Sequence, residues 1–233
     1  MQLMQRKLRY QDKINFQLYH LCYYFSAPSF WDNDRKQVLE FKNNKERTIR
    51  TFISESINNL LLHQMSRDLV IIRALGSNEL EADNPAEKPL DRLGNSLAAT
   101  FGCYYLPQIL HKRKATKPIK SLNLTNRQKM LADVYEVKKN VTNLNRRKVL
   151  ILDDVVTTGV TSCAIISAIL KAFPAAKINV FSLAWTPTVN QQTYLMDLQS
   201  RSLHFSEPGP VYGKIKKETD EEFERGRTNV SLF

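Results

Sequence analysis

With 233 residues, 42% of them apolar, the chain holds material for one α/β domain with additions or for two small ones. It contains no run of about eighteen apolar residues, which argues against a membrane span. The segment from Met1 to Lys7 lacks the apolar centre of a signal peptide, so the cytoplasm is the expected compartment. A formal net charge of +11 implies an anionic partner, either small phosphates or nucleic acid.

Residues 1–44 mix charges with the aromatics Tyr19, Tyr23, Tyr24, Phe25, Phe30 and Trp31, interrupted at Pro28; a cap or hood subdomain is expected there. Residues 45–187 read as the core. An amphipathic helix is predicted over 45–64, with Ile49, Phe52, Ile53, Ile57, Leu60 and Leu61 on one side. Leu69 to Ile72 is a buried-strand candidate, and Leu90 to Phe101 reads as a helix. A short strand is predicted within 104–110, then a basic loop over 111–128, then a helix from Asn126 to about Val137. A second aliphatic strand, Val149 to Leu152, leads to a helix over 160–172 and a strand over 178–184. Alternating helices and continuous apolar strands predict an α/β class, with a mostly parallel twisted sheet flanked by helices. Residues 188–233 are expected to be a C-terminal extension, charged from Pro208 onward.

The most informative segment follows Leu152. Two adjacent carboxylates, Asp153 and Asp154, end the predicted strand. A hydroxyl-rich turn, Thr157, Thr158, Gly159 and Thr161 with Ser162, then opens a helix. Amides at a helix N-terminus hold phosphate oxygens, and the helix dipole favours their charge. A glycine lets the backbone approach the ligand closely. Ionised carboxylates only accept hydrogen bonds, so the pair suits ribose hydroxyls or a hydrated Mg²⁺. A sugar phosphate would use every part.

This pattern resembles the 5-phosphoribosyl-1-pyrophosphate (PRPP) motif of type I phosphoribosyltransferases. The resemblance implies that fold, PRPP as ligand, Mg²⁺ as cofactor and transfer of the 5-phosphoribosyl group to a base or amine acceptor. It also implies a homo-oligomer, such as a dimer. It assigns Asp153 and Asp154 to the ribose and Mg²⁺, and Val155, Val156, Thr157, Thr158, Gly159, Val160 and Thr161 to the 5-phosphate loop. Arg73, Ala74, Leu75, Gly76 and Ser77 would form the pyrophosphate loop. Arg113, Lys114 and Lys117 would lie on a flexible catalytic loop, with Lys112 and Lys120 as further candidates. Trp185, after the last predicted strand, would bound the acceptor pocket.

A finer similarity is to ComF-type phosphoribosyltransferases. It rests on Arg113, Thr116, Lys117 and Pro118, then Leu122, Arg127 and Tyr135 to Val137, then the motif, with a weaker echo at Val38 to Lys42. The N-terminal cysteine zinc module common in that group is absent here. Thr157 stands where six-oxopurine enzymes carry an acidic residue, and a threonine hydroxyl cannot act as a base near neutral pH, so hypoxanthine or guanine salvage is disfavoured. The alternative is a binding protein on the same fold, catalytically reduced, that senses PRPP or a nucleotide or associates with nucleic acid. Other chemistries lack their motifs. The scattered Cys22, Cys103 and Cys163, and the histidines, form no zinc pattern or disulfide framework. Walker A, Gly-x-Gly-x-x-Gly, Gly-x-Ser-x-Gly and His-Glu-x-x-His patterns do not occur.

Overall fold

The computed structural model describes residues 1–10, 14–25, 32–61, 68–82, 88–116, 124–131 and 133–195. In chain order the elements are β1 (Met4–Tyr10), β2 (Ile14–Tyr23), α1 (Asp32–Lys42), α2 (Glu46–Leu61), β3 (Leu69–Arg73), α3 (Pro89–Phe101), β4 (Tyr104–Tyr105), β5 (Leu110–Lys112), α4 (Leu124–Leu131), β6 (Tyr135–Val137), β7 (Lys148–Val156), α5 (Val160–Ala172) and β8 (Lys177–Trp185).

One six-stranded sheet runs β1-β2-β8-β7-β3-β4. Every neighbouring pair in it is parallel except β1 with β2. The chain is therefore mixed α/β with a mostly parallel central sheet, the expected class. The aliphatic runs sit at its centre because both of its faces are covered. On β3 and β7, Val70, Ile72, Val149 and Ile151 point to one core, while Leu69, Ile71, Leu150 and Leu152 point to the other. α5 packs on the first face through Ile165, Ile166 and Ile169. α2 and α3 pack on the second through Ile49, Phe52, Leu60, Leu93 and Leu97. α3 begins with Pro89 at its first turn and stops at Gly102, whose φ of 64° is left-handed.

Three expectations change. Residues 1–44 do not stand apart as a cap: β1 and β2 extend the main sheet, with Leu18 opposite Val180 and Tyr23 opposite Trp185. Their apolar residues join the central cores, which is why this aromatic-rich stretch needs no core of its own. The strand predicted within 104–110 divides into β4, a 3₁₀ turn at Pro107–Ile109 and β5. The helix predicted to reach Val137 ends at Leu131. The chain then turns through Asp133, at φ 54°, and forms β6, antiparallel to β5. The described part of the extension includes a helical stretch over 189–195; Phe30, Trp31, Lys117, Lys120 and residues 196–233 lie outside the described residues. Among the described residues no helix is long and apolar enough to cross a membrane.

Candidate functional site

β3 leads outward through α3 to β4, whereas β7 leads the opposite way through α5 to β8. The winding reverses between β3 and β7, and ligands of such sheets bind beyond the strand ends at that point. A cavity of about 870 Å³ lies there. Its wall combines the Arg73–Glu79 segment, Asp153–Ser162, Lys42 at the end of α1, and Lys88 before α3.

The carboxylate pair does not end the strand, as expected, but lies within β7, which runs on to Val156. β7 stays paired with β8 as far as Val156 opposite Trp185, whereas its ladder to β3 ends at Leu152, whose carbonyl accepts the Ala74 amide at 2.8 Å. Beyond that point the side facing β3 is open. The Asp154 amide donates to Asp153 Oδ1 at 2.9 Å, and the Val155 amide to Asp154 Oδ1 at 2.6 Å. Lys42 Nζ lies 2.9 Å from Asp154 Oδ2. Burial, and then the Asp154 carboxylate beside it, raise the Asp153 carboxyl well above the usual carboxylate range, with Lys42 opposing. Such a pair is short of positive charge, and its hard oxygens suit Mg²⁺. Among the described residues no three His, Cys, Asp or Glu side chains converge. A bound Mg²⁺ would thus complete its shell from ligand oxygens and water, its usual habit at phosphate sites.

Val155 and Val156 line the cavity as strand residues, so the turn proper is Thr157 to Gly159. Thr157 and Thr158 are exposed to the cavity. Gly159 caps α5 at φ 74°, ψ 6°, a conformation that L side chains resist. Val160 is buried beneath it and Thr161 is half-buried. The first intrahelical bond runs from the Cys163 amide to Gly159 at 2.9 Å, leaving the preceding amides of α5 without helical acceptors. Ser162 Oγ and Thr186 Oγ1 in the same wall are buried with no hydrogen-bond partner among the described residues. Amides without helical acceptors, two exposed hydroxyls and two orphaned ones form a donor set that can take an anion at this helix end.

Across the cavity, the predicted pyrophosphate loop is largely engaged with its own chain. Arg73 is 1% exposed. Its Nε donates to Asp91 at 2.6 Å, and its two terminal nitrogens donate to the Glu79 carboxylate at 2.8 Å each. The free cation expected at Arg73 is therefore already neutralised. Its place on a strand buried on both faces requires this, because an unpaired guanidinium there would be prohibitively desolvated. Ala74 and Leu75 are buried. The Gly76 amide donates to Glu79, while the Gly76 carbonyl accepts Lys112 Nζ at 2.6 Å. The Ser77 carbonyl accepts the Thr116 amide at 3.0 Å.

The basic run after Leu110 is partly structural. Lys112 is buried, and burial pulls its ammonium down to about 8, with Glu79 opposing. Arg113 pairs with Glu136 across the β5–β6 ribbon, and Lys114 is exposed; neither lines the cavity. Trp185 is 4% exposed on β8 and does not line the cavity. The Arg6 guanidinium covers its ring at 3.7 Å, so its face is closed to an acceptor. Thr186, the next residue, does reach the cavity. Sequence reasoning missed Glu79, Lys88 and Tyr24. Lys42 carried a signal, the echo at Val38 to Lys42, but no role.

No family model matches the chain, and no curated protein matches it. Solved structures do. An adenine phosphoribosyltransferase from Saccharomyces cerevisiae shares 14% identity, covering 90% of this chain and 92% of that one, at a TM-score of 0.38. One from Thermoanaerobacter pseudethanolicus shares 16%, covering 78% of this chain and 95% of that one, at 0.38. One from Trypanosoma brucei, in complex with AMP, pyrophosphate and ribose-5-phosphate, shares 11%, covering 78% and 79%, at 0.38. All three superpose only loosely.

Proposed function

We propose that this chain is a type I phosphoribosyltransferase that binds PRPP with Mg²⁺ and transfers the 5-phosphoribosyl group to a nitrogenous acceptor, releasing pyrophosphate. One observation carries the reading. The adjacent carboxylates of β7 and the open anion cup of α5 face a single cavity at the point where the sheet winding reverses. The Thr157 to Ser162 turn would hold the 5-phosphate, and Asp153 and Asp154 the ribose hydroxyls. Mg²⁺, when bound, would offset charge on the departing pyrophosphate. The β5–β6 ribbon is tied to the Gly76–Ser77 loop through Lys112 and Thr116, which fixes one wall of the site. The ComF-type variant of this reading is supported by that ribbon, because it joins Arg113 to Tyr135–Val137 in one unit.

Calorimetry of PRPP with Mg²⁺ tests the assignment. Asp153→Asn combined with Asp154→Asn is expected to abolish measurable binding; unchanged affinity in the double variant refutes it. A second reading, a catalytically reduced PRPP-binding or nucleotide-binding protein with a nucleic-acid-associated surface, is favoured by the full neutralisation of Arg73. Pyrophosphate release from PRPP across a panel of bases and amines separates the two. Salt-dependent nucleic-acid binding without turnover supports the second.

A further inference from the structure

Glu79 stands where an anionic ligand group would stand. Its two oxygens each accept from an Arg73 nitrogen at 2.8 Å, and the same carboxylate accepts from the Gly76 amide and from Lys88 Nζ. A glycine amide, a forked guanidinium and an ammonium converging on one point form a donor set suited to a phosphoryl group. All four residues line the cavity that also holds the α5 cup. Arg73 is fixed from behind, since Asp91 holds its Nε at 2.6 Å and Tyr105 donates to Asp91 in turn. Removing Glu79 would therefore leave the guanidinium in place with both terminal nitrogens freed of their carboxylate, one of them keeping only its 3.2 Å bond to the Ala74 carbonyl. Glu79 itself lies on a turn, its amide bonded to the Gly76 carbonyl at 3.1 Å, and exposed Leu80 follows it. The carboxylate can leave without unpacking a core.

Resting on the phosphoribosyl reading for the other half of the ligand, we propose that Glu79 is a built-in competitor anion. It fills a second anion subsite in the cavity, admits a pyrophosphoryl group only by being displaced, and so tilts the site toward ligands with a single phosphate at the α5 cup. The consequence is a specificity residue that the carboxylate pair and the helix turn do not supply. The charge logic is simple. An internal carboxylate and an incoming pyrophosphate compete for the same donors, and each charge-assisted bond released is worth more than a neutral one.

Calorimetry on the full chain, with inorganic pyrophosphate and separately with ribose 5-phosphate, compares wild type with Glu79→Gln and Glu79→Asp. Glu79→Gln is expected to bind pyrophosphate about tenfold more tightly or better, roughly one charge-assisted bond regained, with ribose 5-phosphate affinity unchanged. Glu79→Asp keeps the charge beside Arg73 but draws it back from the Gly76 amide, so a smaller gain is expected; it decides the matter if the Gln variant does not fold. In wild type, pyrophosphate should shift the Gly76 amide resonance. Folded variants with no gain, or pyrophosphate saturation with that resonance unmoved, overturn the proposal and leave Glu79 as an ion-pair partner of Arg73. If pyrophosphate affinity rises but no form binds ribose 5-phosphate, the Glu79 subsite stands and the phosphoribosyl reading of the α5 cup falls.

Discussion

Lys42, the last residue of α1, places its Nζ 2.9 Å from Asp154 Oδ2 on β7. The contact joins the N-terminal part of the chain to the carboxylate pair more than a hundred residues later. It also supplies the positive charge that the pair needs when no other cation is bound.

Replacing that lysine separates its two effects. Lys42→Met is expected to lower stability by about 0.5–1 kcal/mol, the scale of a partly exposed ion pair. It is also expected to raise Mg²⁺ affinity, because the metal no longer competes with an ammonium. A urea midpoint and a Mg²⁺ titration by calorimetry check both.

Gly159→Ala tests the cup. An alanine Cβ would meet Leu8 Cδ1 at 3.4 Å and Phe16 Cζ at 3.5 Å, which is ordinary contact, so space is not the obstacle. The obstacle is φ 74°, which costs an L residue about 1–2 kcal/mol. If the turn keeps its aim, stability should fall by that amount. If it relaxes to a different aim, the same energy is expressed in binding instead, as a loss of about tenfold in ribose 5-phosphate affinity.

Gly94→Ala strikes the packing of α3 on β4. The new Cβ would fall 2.3 Å from Tyr105 Cε2, so the ring must move, and its hydrogen bond to Asp91 goes with it. A loss of about 1–3 kcal/mol is expected from overpacking. At roughly 2–4 °C per kcal/mol for a chain of this size, the thermal midpoint should drop by several degrees.

Acid should unfold the chain partly through Glu79. Burial opposes its ionisation, but Arg73, Lys88 and the Gly76 amide prevail and hold the carboxyl at about 2, below its ordinary 4.5. The depressed folded value means that its contribution is present above pH 4.5 and is lost as pH falls from there toward 2. Chemical denaturation across that window should show a slope that flattens in Glu79→Gln.

Much of the site was legible from local pattern. The aliphatic run before Asp153, the hydroxyls around Gly159 and the apolar helix after Val160 each belong to one short stretch, and each formed as read. Arg73 shows where local reading stops. Glu79 lies six residues away and could have been suspected, but Asp91 and Tyr105 arrive on α3 and β4 only when those elements pack. Trp185 shows the same limit, since Arg6 comes to it from the far end of the chain.

Hydrophobic periodicity and the residues of one turn were enough to define the parallel sheet, its central strands and the turn that opens α5, because these are properties of contiguous backbone. Folding alone decided that β1 and β2 complete the sheet, that Arg73 is paired from within by Glu79 and Asp91, and that Trp185 faces a guanidinium. Each of these depends on which distant side chain satisfies a buried charge or covers a strand, and burial has no representation in a linear order of residues.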